Sequence, residues 1–237
     1  MSTRKIKKRV LELLATDDLE AIQRQLDELP VKDVVNALFS AICRGDDIIH
    51  WNGVRCMGVF VSRLAEEDME EARVIMRRML WSLNDESGGI GWGAPESMAE
   101  VMYCHDELAR EYIHMLVSYM REDGEELFQD GNFLEHESLQ RGLLWGIGRL
   151  AEKRPMMLLK RGVENDLLPY LQSSDSSVRG LAVQSLGLLR SRQAVDSIRP
   201  LADDTASVSM YHDGKMRTAT VGQLARKALK RIQSQDN

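Results

Sequence analysis

The residues best placed to do chemistry lie together in Asn84-Asp-Glu-Ser-Gly-Gly-Ile-Gly-Trp-Gly-Ala-Pro-Glu96, where four glycines fall within six positions. Glycine costs about 1 kcal/mol relative to alanine inside a helix, so this stretch reads as a loop. Its glycines would let a ligand approach the backbone, with Trp92 as a stacking surface beside Glu86 and Glu96. A phosphate-binding loop is excluded, because no Gly-Lys-Ser/Thr follows and the carboxylates of Asp85, Glu86 and Glu96 oppose a phosphate. The spacing also fails the dinucleotide pattern GxGxxG, and no strand precedes it. Pro95 suits the first turn of a following helix and Glu96 its positive end, so the loop is expected to close there.

A second constellation is aromatic: Trp51, Trp81, Trp92 and Trp145. Trp145 stands one helical turn beyond Arg141, so the two can present a joint cationic and aromatic surface. Glycines 142, 146 and 148 either open space beside that indole or serve close helix packing. The candidate ligand- or partner-binding residues are therefore Trp81, Asn84, Glu86, Trp92, Glu96, Arg141 and Trp145. No metal or cofactor is expected. Cys43, His50 and Cys56 could ligate a metal only by converging from separate helices, and the adjacent Cys104 and His105 point in different directions. Glu135-His136-Glu137 reads as a helical N-terminus, which welcomes acids. No residue completes a nucleophile or acid–base set, so a catalytic role is disfavoured.

The elements that position these residues are helices. Only 5 prolines occur among abundant Leu, Glu, Arg, Ala and Met. Val178, Leu181, Ala182, Ser185, Leu186 and Leu189 recur at three- and four-residue steps, preceded by the cap-forming Ser173-Ser-Asp-Ser-Ser. A short helix ending at Leu171 precedes this one, and another is expected from Ala194 to about Asp203. The pattern repeats. Residues 139–150 align with 178–189, placing Arg141 on Arg179 at an offset of about 38, within the range of helical repeats. Residues 51–64 put Arg55 in the same frame, and Pro95–Tyr103 with Leu108–Met120 form a divergent copy. The expected architecture is all-α: an α-solenoid of about five to six HEAT-like helix pairs in a single domain, residues 1–237. Residues 165–204 form the best repeat, and 84–96 an inserted loop.

Asp175-Ser-Ser-Val-Arg-Gly-Leu-Ala182 resembles the HEAT-like repeats of the phycobilin-lyase class. Residues 79–96 and 139–146 are also similar to an uncharacterised HEAT-repeat family of anaerobic sulfate-reducing bacteria. These resemblances imply a fold and, from the lyase class, a cofactor-handling alternative.

Bulk properties narrow the setting. Apolar residues make up 43% and charged residues 29%, which is ordinary for a folded protein. Three cysteines without a CxxC pair fit reduced thiols and a cytoplasmic location. No signal peptide or membrane span is expected. The net charge of −6 is unevenly placed. Residues 1–9 carry only basic charges, as do 215–237 apart from Asp236, leaving a body of about −16 that disfavours nucleic acid except at the ends. The expectation is a non-catalytic interaction scaffold or adaptor that uses the concave solenoid surface and the 84–96 loop to hold a protein or peptide partner. The alternative is a small-molecule or cofactor-handling protein with its pocket at the glycine-rich loop.

Overall fold

A computed structural model describes residues 2–84, 91–124, 131–212 and 214–234. The chain divides into two compact units, Met1–Tyr112 and Ile113–Asn237. In the first, α1 (Thr3–Leu14), α2 (Leu19–Leu26), α3 (Val31–Ile42), α4 (Asp47–Glu67), α5 (Met69–Leu83) and α6 (Ala94–Cys104) follow one another, and α7 (Asp106–Ser118) begins. Aspartates start α2, α4 and α5: Asp18, Asp46 and Asp68 each accept from a backbone N–H three residues on. Asp68 also ends α4, so one residue closes that helix and opens the next.

The long helix α4 packs against α3, α5 and α6. Its buried face of Val54, Met57, Phe60, Val61 and Leu64 meets a methionine-rich layer that includes Met76, Met79, Met98 and Met102. Unbranched thioether side chains fill irregular gaps between helices crossing at different angles. One polar group enters this core. Asn52 of α4, 7% exposed, donates through Nδ2 to the carbonyls of Leu14 at 2.9 Å and Thr16 at 2.8 Å. These lie where α1 runs out and has no further turn to receive their hydrogen bonds.

In the second unit α8 (Glu137–Lys153) packs on α11 (Ser176–Leu189), and α11 on α13 (Val221–Gln233). Short pieces link them: α9 (Pro155–Leu159), α10 (Val163–Leu167) and a 3-10 turn, Pro169–Gln172. After α11 the expected continuous helix is instead a 3-10 turn (Arg192–Ala194), the four-residue α12 (Val195–Ile198) and a second 3-10 turn (Arg199–Asp203). Pro200 lies in this segment without an N–H to donate. A hairpin follows that the helical reading did not include: β1 (Ser207–His212) pairs antiparallel with β2 (Lys215–Thr220), Ser207 opposite Thr220 and His212 opposite Lys215. The aligned arginines do equivalent work. Arg141 of α8 forks onto Asp175, the N-cap of α11, and Arg179 of α11 reaches Asp204 at 2.9 Å.

Replacing Asn52 with alanine leaves the Leu14 carbonyl buried and unpaired. Asn52→Ala is expected to lower the unfolding free energy by about 2–3 kcal/mol, read as a shift of the urea midpoint with an unchanged slope. An unshifted midpoint would mean that solvent satisfies α1 instead.

Candidate functional site

Within the first unit the end of the glycine-rich segment is bound tightly to its neighbours. Residues 85–90, and with them the candidate Glu86, lie outside the described residues. Gly93 takes the left-handed conformation at φ 75°, and a Cβ there would sit 2.5 Å from the Ile42 carbonyl oxygen. A Cβ on Gly91 would sit 2.8 Å from the Ser82 oxygen. These two glycines therefore let the backbone cross the C-terminal ends of α3 and α5 before it enters α6. Cys43 Sγ donates to the Trp92 carbonyl at 3.6 Å, and the half-buried Trp92 is held against the end of α3. Pro95 and Glu96 occupy the first turn of α6, as expected from their types.

Glu96 is 7% exposed, and its Oε1 faces Nε2 of His50, on α4, at 3.9 Å. The other ring nitrogen, Nδ1, lies 2.7 Å from the Ile42 carbonyl oxygen. A carbonyl can only accept, so Nδ1 carries a proton and Nε2 is the nitrogen turned toward the carboxyl. Burial holds the Glu96 carboxyl above its ordinary range, and the His50 imidazole pulls it the other way. Oε2 of Glu96 is buried without a hydrogen bond among the described residues. Trp51 packs edge-on against His50 with ring centroids 4.9 Å apart. One turn along α6, Glu100 is 1% exposed and lies 3.2 Å from Arg55 Nε. This cluster sets two buried carboxyls beside one imidazole and one guanidinium. With the Glu96 and His50 side chains only 10% and 15% exposed, it holds α4, α6 and the end of α3 together. Among the described residues no three His, Cys, Asp or Glu side chains converge as metal ligands, and burial pushes the Cys56 thiol up to about 12.

Trp81 stands in the opposite environment. It is 81% exposed, the most open large apolar side chain among the described residues. Val74, Arg77 and Arg78 share its outer face of α5 at helical spacing, with Val74 46% exposed. Arg78 lies over the Phe39 ring of α3 with its guanidinium carbon 3.8 Å from the centroid, and donates to Asn36 Oδ1 at 3.2 Å. Arg77 reaches back to Glu70 at 2.5 Å. Asn84, also exposed, follows Trp81 at the end of the helix. The structure thus adds Val74, Arg77, Arg78 and Phe39 to the neighbourhood of Trp81, which no sequence motif marks.

Arg141 and Trp145 belong to the second unit. Trp145 is 9% exposed and its Nε1 donates to the Tyr211 carbonyl at 2.8 Å, which ties α8 to the hairpin. Arg141 stays half-exposed, turned onto Asp175. Burial opposes ionisation of Asp175, yet the Arg141 fork and the α11 backbone N–H groups hold its carboxyl below the ordinary range. The pair thus serves an interior contact and an interhelical ion pair.

No family model and no curated protein matches the chain. Solved structures do. An engineered protein from the Northeast Structural Genomics Consortium aligns with a TM-score of 0.54 at 17% identity, covering 99% of this chain and 98% of that one. A second engineered protein from the same consortium aligns at 0.52 and 17%, covering 97% and 98%. A structure of computationally designed armadillo repeat proteins for modular peptide recognition aligns at 0.49 and 14%, covering 94% and 98%. The chain has the all-α, helical-repeat fold expected from its sequence, with the small hairpin as an addition.

A carboxyl raised by burial stabilises the fold while protonated, and that contribution is lost as pH climbs through its folded value. Glu96→Gln keeps the neutral form at every pH. It is expected to raise the thermal midpoint near about pH 8 and to leave it unchanged near about pH 4. A lower midpoint for the variant at the higher pH would show that the ionised carboxylate holds the contact.

Proposed function

We propose that this protein is a non-catalytic interaction scaffold that holds a protein or peptide segment on the outer face of α5, with Trp81 as the anchor. The supporting observation is the 81% exposure of that indole. Burying a tryptophan removes about 150–250 Å² from water, and aromatic anchors flanked by arginine dominate binding energy at protein interfaces. Arg77 and Arg78 provide such flanks, and Arg78 is already ordered by Phe39. Stacked helical repeats present extended faces of this kind. We read the repeats as HEAT-like, supported by the Asp175–Ala182 pattern and by arginines that reach the next carboxylate. On this reading residues 1–237 form one repeat array with its best copy at 165–204, working in the cytoplasm. No helix among the described residues is long and apolar enough to cross a membrane.

A second reading, a small-molecule or cofactor-handling protein, is favoured by the buried Glu96 Oε2, which has no hydrogen bond among the described residues and lies beside the glycine-rich segment. A thermal-shift screen separates the two. A compound that stabilises the wild type but not Trp92→Ala supports this reading, and equal shifts in both remove it.

The scaffold reading is tested with Trp81→Ala. Because the side chain is exposed, the variant is expected to keep the wild-type thermal midpoint and to recover its partner from host extract at least about tenfold more weakly. Undiminished recovery by a folded variant would exclude this face.

A further inference from the structure

The outer face of α13 carries a cluster of positive charge that the scaffold reading does not use. Arg226, Lys227, Lys230 and Arg231 are all exposed. At 100° per residue they fall within one arc, with Gln223 and Gln233 among them, opposite the buried Val221, Ala225, Ala228 and Ile232. The helix dipole accounts for Lys230 and Arg231 in the last turn, but not for cations further back. No ion pair holds Lys227, Lys230 or Arg231 among the described residues, and Asp236 lies outside them. Arg226 is fixed by donating to the Ala202 carbonyl, while the nearby Asp204 is committed to Arg179. The N-terminal basic helix differs. In α1, Lys8 lies 3.6 Å from Glu12 and Arg9 3.9 Å from Glu28, so part of its charge is already compensated.

We infer that this face of α13 docks on the phosphate backbone of a nucleic acid, without reading its bases. Three observations select that occupant. The apolar side of α13 is buried against α11, where Gly187 meets Ala228, so the helix cannot insert into a lipid surface. Its outer face offers no large exposed apolar side chain, and a protein interface would need such an anchor. Cations at i and i+4 repeat about every 6 Å along the helix, with a glutamine amide before and another after them, a row suited to successive anionic oxygens. The acidic body of the chain confines such contact to this face, so binding is weak and depends on salt.

The experiment uses the full chain and a fluorescent DNA duplex of about 20 base pairs, followed by anisotropy across a salt series. Four neutralised phosphates give a slope of log K against log salt of about −3.5. Lys227→Glu, Lys230→Glu and Arg231→Glu together are expected to weaken binding at low salt at least about tenfold and to flatten the slope, with an unchanged thermal midpoint. The matching glutamine variant shows the same trend without added negative charge, and Lys227→Arg with Lys230→Arg retains binding. Reversing Lys5, Lys7 and Lys8 leaves binding unaltered. Failure to bind duplex or single-stranded DNA at low salt overturns the inference, as does binding that survives the triple reversal. Competition by polyglutamate as strong per charge as that by DNA overturns it in favour of an acidic polypeptide. Binding to phosphatidylserine vesicles without binding to DNA overturns it in favour of a membrane surface.

Discussion

Each helix leaves about four N–H groups unpaired at its start and four carbonyls at its end. A chain made of many short helices multiplies these ends, and most other features of this protein follow from how they are satisfied. The starts of α2, α4, α5 and α11 are met locally by aspartates one turn back. Two of the ends are met by side chains of α4: Asn52 serves the end of α1, and His50 meets the Ile42 carbonyl where α3 stops. Since the distant groups are polar and must be buried to reach their targets, tertiary packing and helix termination become one problem.

That division explains what could be read from the sequence. N-caps are local, so the Asp175 start of α11, the Pro95 start of α6 and the repeat linking Arg141 to Arg179 were legible as residue types at fixed spacing. The encounter of His50 with Glu96 was not, because the two are brought together only by the packing of α4 on α6. Exposure was equally hidden. Trp81 and Trp145 are the same residue type in similar helical patterns, yet one is 81% and the other 9% exposed. The hairpin beyond α11 carried a local signal too, with alternation through Ser207–His212 and Gly214 at φ 79° in its turn.

The candidate site changes character accordingly. Glycine-rich segments are often read as ligand cradles, but Gly91 and Gly93 here serve contact between backbones. The buried acids of α6 lie behind them as part of the interior. The exposed indole and the exposed cations lie instead on the outer sides of α5 and α13, whose opposite faces are buried.

The corner at Asp68 gives the exposed tryptophan an unusual rigidity. Because one residue both ends α4 and caps α5, the connection has no slack, and the rotation of α5 about its own axis is set by a single pair of backbone angles, φ −153° and ψ 94°. One inserted residue would turn every following position by about 100°, carrying Trp81 off the outer face and apolar Met76 or Met79 toward solvent. An insertion at this corner would therefore be felt along the whole of α5, and the orientation of Trp81 is inherited directly from the core helix before it.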